Sequence, residues 1–371
     1  MKYLHRFQDD SEFENYTFYS YEEPFVSATI TGETEEEERV DYNIDPNPIY
    51  INFRDPVVKN IIVTNWGGAN GGSAPNNTRV NGVKVPGVAG EITHKQAESV
   101  LNFGTVFSGN TSIQYFTEMK YFTAMTLLPQ NGFVGCTNLK MVDLKNITGS
   151  RDGDSYHNGF YNCTSLYDLG DTSKITKLSY REFMNTKIRS VDMPQLTGYY
   201  NYGTSSFMNT PITTVNIPNA RGLCQSMFEG CTQLKQVIAP KATWLGGKVF
   251  TSCSNLELVV LPNLTSDGGS NYGSNEKVGI IIGDKITSIA DGAFGGAYSL
   301  QVRYVVIQNP TPPTCGTNIL RYNRNPRIYV PDASVNTYKA ATGFSTYASN
   351  IKSLTQFRTD YPNDAQYLID G

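Results

Sequence analysis

The chain repeats itself. Phe133 opens FVGCTNLKMVDL, Phe160 opens FYNCTSLYDL, Phe183 opens FMNTKIRSVDMP, Phe207 opens FMNTPITTVNIP, Phe228 opens FEGCTQLKQVIAP and Phe250 opens FTSCSNLELVVLP. The intervals between these six are 27, 23, 24, 21 and 22 residues. Phe294, in FGGAYSL, follows after 44, twice 22, with Tyr272 at the midpoint. Phe107, in FSGNTSIQYF, is a weaker first copy, which makes about nine copies between residues 107 and 300. A segment this short cannot close a core alone. The copies must stack, burying equivalent side chains one over the next.

Within each copy, L-x-x-V-x-(L/I/M)-P supplies a short strand, and the proline ends it where no ladder donor is needed. Strands of successive coils pair in parallel, about 4.8 Å apart. The expected fold class is therefore a repeat solenoid of the leucine-rich-repeat type over residues 105–330, with a parallel β-sheet and an irregular or short-helical outer side. Its core ladder is Phe133, Phe160, Phe183, Phe207, Phe228, Phe250 and Phe294. Three residues after the aromatic stand Cys136, Cys163, Cys231 and Cys253, with Thr186 and Thr210 in the intervening copies. Alternation with threonine suits a small buried side chain in a turn rather than a catalytic or metal-binding thiol. Cys224 and Cys315 fall outside this ladder and read only as buried.

At these positions the sequence resembles the BspA-like, Treponema pallidum-type leucine-rich-repeat family, whose repeat is similar to F-x-x-C-x-x-L-x-x-V-x-I-P. The resemblance covers roughly residues 100 to 355. RIYVPDASVNTYKAATGFSTYASNIKSL is similar to the family's closing segment, which implies a carboxyl-terminal cap and tail over 331–371: a strand, Pro331, then a helix packing Tyr338, Phe344, Tyr347 and Ile351. Residues 56–104 are similar to the family's amino-terminal cap, a tryptophan followed by an EF-hand-like loop and a helix. Trp66 and Gly90-Glu91-Ile92 match it. Gly67 and Ala69 stand where relatives have acidic residues, and Gln96 stands at the place of a bidentate Glu. Calcium needs convergent carboxylates, so a cap without calcium is expected, with Thr93 capping a helix from His94 to about Leu101. Residues 1–55 resemble the opening segments of proteins from gut Bacteroidales and their tailed phages, which implies an attachment unit. In it, Phe25 to Ile30 reads as a strand and Glu33 to Glu38 as a solvated loop.

Thirty basic against 34 acidic side chains leave a net charge of −4, which argues against a nucleic-acid partner. No apolar run approaches the ~18 residues of a membrane span, and MKYLHRFQDDSEFENY carries charges where a signal peptide needs apolar residues. His5, His94 and His157 sit in no nucleophile or metal spacing. GGANGG at 67–72 reads as a loop tip, and Asp152 and Asp154 lie in the polar insertion GSRDGDSYHNG. The expectation is a non-enzymatic protein without cofactor or metal. One reading is a virion structural protein of a tailed phage, a fibre, tail or capsid-decorating component. Its partners would be other virion proteins or a second copy, and a protein or glycan receptor on the host surface. The alternative is a bacterial cell-surface adhesin, and an intracellular scaffold is a third. The signal-peptide argument favours the virion.

On each strand, the residue between the two inward apolar positions should face outward. Those residues are Asp143, Gly170, Asp192, Asn216, Ile238, Val260 and Ile282. The row turns from polar to β-branched apolar midway, and an adjacent apolar patch usually marks a contact. Ile238, Val260 and Ile282 are therefore the candidate interaction face, to be covered by another subunit or by the tail from Thr355 onward.

Overall fold

A computed structural model describes residues 49–65, 77–80, 83–86, 90–150, 157–199, 204–269, 277–295, 302–316, 318–320, 323 and 327–369. The attachment unit up to residue 48, Trp66 with the glycine-rich loop, the Asp152–Asp154 insertion and Tyr272 lie outside them. The described residues belong to a compact unit spanning Asn43–Gly371.

That unit is a parallel-strand solenoid with little helix. Most coils contribute one strand to a main sheet and a second, two-residue strand to another sheet; the coil of Phe160 joins the first only through the bridge between Met141 and Asp168. In the main sheet, Gln236–Ile238, Leu258–Leu261, Gly279–Ile282, Tyr304–Ile307, Ile328–Val330 and Ile351–Ser353 pair in chain order. Ser190–Asp192 pairs Thr214–Asn216, and Tyr115–Phe116 pairs Met141–Val142, in the same sense. The second sheet runs from Leu127–Leu128 through Gly149–Ser150, Lys177–Leu178 and Gly198–Tyr199, and again from Gly222–Leu223 through Trp244–Leu245, Ser266–Asp267 and Ser288–Ile289 to Thr314–Cys315.

Between the sheets lies the phenylalanine ladder. From Phe107 to Phe250, successive rings stack with centroids 4.9–6.1 Å apart and planes within 8–11°. Backbone bonds hold each ring over the next. The Phe160 N–H donates to the Glu182 carbonyl at 2.8 Å, Phe183 to Ser206 at 2.9 Å, and Phe207 to Met227 at 3.0 Å. Phe294 is buried too, and its N–H reaches the Ile319 carbonyl at 2.8 Å. Two residues after the aromatic the chain turns through positive φ, at Ser252 after Phe250 and otherwise at glycine or asparagine: Gly109, Gly135, Asn162, Asn185, Asn209 and Gly230. Glycine and asparagine are the residue types that tolerate that region. The asparagines use the turn to form their own ladder: Asn185 Nδ2 donates to Asn162 Oδ1 at 2.7 Å, and Asn209 Nδ2 to Asn185 Oδ1 at 3.0 Å.

The cysteine column follows the same logic. Cys136, Cys163, Cys231 and Cys253 are free and buried. Each thiol donates to the carbonyl of the preceding coil's phenylalanine, at 2.9–3.1 Å. Thr186 and Thr210 bond the carbonyl of their own coil's phenylalanine at 2.8 and 2.7 Å. Either side chain thus satisfies a turn carbonyl inside the core. Burial pushes the Cys231 thiol up to about 11, and Cys163 and Cys253 well above the ordinary range, whereas a hydrogen bond with Cys163 lowers Cys136, which is shielded by its full burial alone. Buried protonated thiols react slowly. In the native protein these four are expected to resist thiol-reactive dye for hours. Cys315, partly exposed, should label first, and unfolding should release the rest. Mass spectrometry of the labelled protein checks this.

At the amino end, residues 49–55 belong to the cap rather than to the segment before it. Ile51 N–H donates to the Ile92 carbonyl at 2.8 Å, and Ile51 and Phe53 join the core. Asp55 caps the helix Pro56–Thr64 through Val57 N–H, and its second oxygen takes the N–H groups of Gln114 and Tyr115 at 2.6 and 3.2 Å. One carboxylate thus closes the edge of the first strand. Thr93 and Gln96 form a reciprocal capping box. The helix runs only His94–Ala97, short of Leu101, and Gln96 is committed to the cap. At the other end the sheet extends past residue 330: beyond the helix Val335–Ala340, Ile351–Ser353 adds a last strand.

The candidate interaction face

Alternate strand residues share a face. On the outward side of the main sheet, Ile238 stands opposite Val260, and Val260 opposite Ile281. Ile282 does not belong to this row. It pairs with Leu261 and lies in the inner core. The cause is a one-residue slip: Gly279, not Ile280, stands opposite Leu258, because 21 residues separate these two where 22 separate Gln236 from Leu258. Such a slip moves every side chain to the other face. The outward residue in this coil is Ile281.

This face is divided. Val260 and Ile281 are 4% and 1% exposed, whereas Ile238 is 37% exposed. With Leu258, Tyr304, Val306 and Tyr329 they form a second apolar cluster under the tail, into which Phe357 and Leu368 pack. Polar contacts fix the tail. Tyr304 Oη donates to Asp364 at 2.8 Å, Tyr329 Oη to Asp360 at 2.6 Å, and Gln308 exchanges two bonds with Ile369 at 2.9 and 3.0 Å. The cover stops at Gln236, whose amide reaches Tyr367 Oη at 3.1 Å. In the earlier coils the same face presents Asp192 and Asn216, both exposed and joined at 2.7 Å, with Thr214 and Ser190 beside them. Tyr167 is 50% exposed there.

Two predictions concern the tail. The double substitution Val260→Asp and Ile281→Asp should free it, because two carboxylates would enter an apolar cluster. Protease should then trim the chain back toward Ser353 at least tenfold faster, while the phenylalanine ladder stays folded. Acid should do the same by another route. The Tyr329 hydroxyl holds Asp360 below the ordinary carboxylate range. A depressed carboxylate stabilises docking fully above its unfolded pKa, about 3.9, and that contribution is lost as pH falls through the folded value. Pepsin cleavage within 354–369 should therefore accelerate below about pH 4.

Chemistry-bearing groups are few. Among the described residues no group of three or more His, Cys, Asp or Glu could hold a metal ion, and no helix is long and apolar enough to cross a membrane. The densest polar cluster is internal. Ser150 Oγ donates to Glu182 Oε2 at 2.6 Å, and His157 Nδ1 lies 3.3 Å from the same oxygen, all three side chains being buried. Glu182 Oε1 sits where a Cβ on residue 159 would be, so any side chain there would have to displace this carboxylate. All three side chains are fully buried, and the arrangement joins adjacent coils. On the second sheet the threonines form a column, Thr148, Thr176, Thr265 and Thr287 each donating to the carbonyl of the preceding coil's threonine at 2.7–3.1 Å.

The BspA type leucine-rich repeat region matches residues 104–202 and 200–325, in 6 copies. No curated protein matches. Among solved structures, the chain is similar to a leucine-rich repeat protein from Bacteroides ovatus (TM-score 0.48, 15% identity, 82% of this chain and 70% of that one). It is also similar to a leucine-rich cell surface protein from Faecalibacterium prausnitzii (TM-score 0.30, 14% identity, 76% and 86%). Six repeat copies across 104–325, over a solenoid whose aromatics from Phe107 to Phe250 form one stacked row, make the chain a member of the BspA-type leucine-rich-repeat family.

Proposed function

We propose that the chain is a non-enzymatic, protein-binding repeat module of a bacterial cell surface, and that it binds with the uncovered part of its main sheet. Stacked repeats offer an extended face suited to protein partners. The observation that carries the reading is the division of that face. The chain's own tail seals the carboxyl-terminal half with apolar packing, while the half around Asp192, Asn216 and Tyr167 stays exposed and polar. Non-obligate interfaces have this mixed character. The adhesin fits the repeat family at least as well as the virion component does, and it asks for no phage-specific feature.

The test is cell binding by the purified, fluorescently labelled chain. Thr214→Arg with Asn216→Arg, on the open face, should abolish binding. Ser266→Arg, on the second sheet, should leave it unchanged. Equal loss from both, or from neither, would contradict the reading. Protease treatment of intact producing cells should remove the chain. Its recovery in purified phage particles instead would restore the virion reading.

A further inference from the structure

On the open face two cations converge on one tyrosine. Arg54 lies flat over Tyr115, its guanidinium carbon 3.6 Å from the ring centroid, with Nη1 3.6 Å from Met141 Sδ. From the next coil, Lys140 Nζ reaches Tyr115 Oη at 3.4 Å. Neither cation has a carboxylate within ion-pair distance among the described residues. Tyr167 stands beside them, half exposed.

The same fold shows what such a site takes. Tyr115 and Tyr304 occupy equivalent positions. Each is the first outward residue of its strand, two residues after a buried aliphatic, Ile113 or Val302. At Tyr304 the partner is present: Arg303 lies 4.9 Å from the Tyr304 ring, and both Arg303 Nη2 and Tyr304 Oη contact Asp364 Oδ2 at 2.8 Å. The tail thus docks by placing one carboxylate on an arginine–tyrosine pair. At Tyr115 the pair is assembled, with a lysine added and no carboxylate.

We infer that Arg54, Tyr115 and Lys140 receive the carboxylate of an acidic segment of the protein partner, the adjoining side chain resting on Met141 and Tyr167. The inference rests on the proposed binding role and names the chemistry of the partner. Stacking on Tyr115 fixes the guanidinium while leaving its donors free, which suits a carboxylate. A densely charged polyanion such as a sulfated glycan fits less well, because Asp143 and Asp168 share this part of the face. They would repel repeated negative charge and tolerate a single one.

The experiment uses the full chain with methyl-labelled methionines and reads the Met141 methyl by NMR, assigned through Met141→Leu. The probe is the peptide YPNDAQY, the sequence of residues 361–367, beside the same peptide with Asp364→Asn. The Asp peptide should shift the Met141 methyl saturably. The Asn form, and Arg54→Gln protein with the Asp peptide, should bind at least about tenfold more weakly. The remaining methionine methyls serve as the check that the variant is folded. An unmoved Met141, equal response to both peptides, or a stronger response to a heparin oligosaccharide would overturn the proposal. Any of these would leave the broader reading intact provided Thr214→Arg with Asn216→Arg still abolished cell binding.

Discussion

Phe207→Ala is expected to cost about 3–5 kcal/mol of folding stability, the range for truncating a fully buried aromatic. The ring is sandwiched between Phe183 and Phe228, at 5.6 and 5.8 Å, and is fully buried. Stacked coils touch only their neighbours, so a void at Phe207 cannot be filled by rearranging a distant part of the core. It also breaks the ladder in the middle, where both halves of the solenoid lose a contact. Urea unfolding followed by circular dichroism checks this. Tyr167→Ala on the exposed face is the control and should stay within about 0.5 kcal/mol of the parent. A loss below about 1 kcal/mol for Phe207→Ala would mean that the rings do not share one continuous core.

Glu182→Ala should be of similar size, about 2–6 kcal/mol, because it leaves two buried groups, the Ser150 hydroxyl and the His157 ring nitrogen, without their acceptor at about 1–3 kcal/mol each. Ser150 Oγ and His157 Nδ1 both turn to one oxygen of this carboxylate, at 2.6 and 3.3 Å. Both belong to the coil before that of Glu182, so the side chain also ties coil to coil. Ser150→Ala removes a single hydrogen bond to the carboxylate and should cost less, about 1–3 kcal/mol. The ordering is the diagnostic. If Ser150→Ala and Glu182→Ala were equally mild, the cluster would contribute packing alone.

The two clusters differ in how far the sequence announced them. Phe133 to Phe250 recur near one interval and are followed at a fixed distance by Cys or Thr, so period and environment can be read together. Glu182, Ser150 and His157 share no motif. They meet because two coils of different lengths bring separate turns to one point, and coil length depends on insertions that follow no period. The same irregularity misplaced Ile282. The step from Leu258 to its partner Gly279 is 21 residues, against 22 from Gln236 to Leu258, and one residue is enough to reverse inside and outside. The threonine column was legible and passed over: side-chain bonds along it span 22, 28 and 21 residues at Thr148, Thr176 and Thr197, the spacing of the phenylalanines themselves. Arg54 over Tyr115 was not legible, since the two are 61 residues apart and only the cap brings them together.

The claim that the uncovered half of the main sheet is the working surface can be tested by hydroxyl-radical footprinting of the full chain, free and bound to cells. The two faces carry their own reporters. Tyr115, Met141 and Tyr167 lie on the open sheet, and Trp244, 40% exposed, lies on the second sheet. On binding, oxidation of Met141 and Tyr167 should fall severalfold while Trp244 remains as reactive as in the free protein. Protection of Trp244 with Met141 and Tyr167 unchanged would contradict the account and move the binding surface to the opposite side of the solenoid.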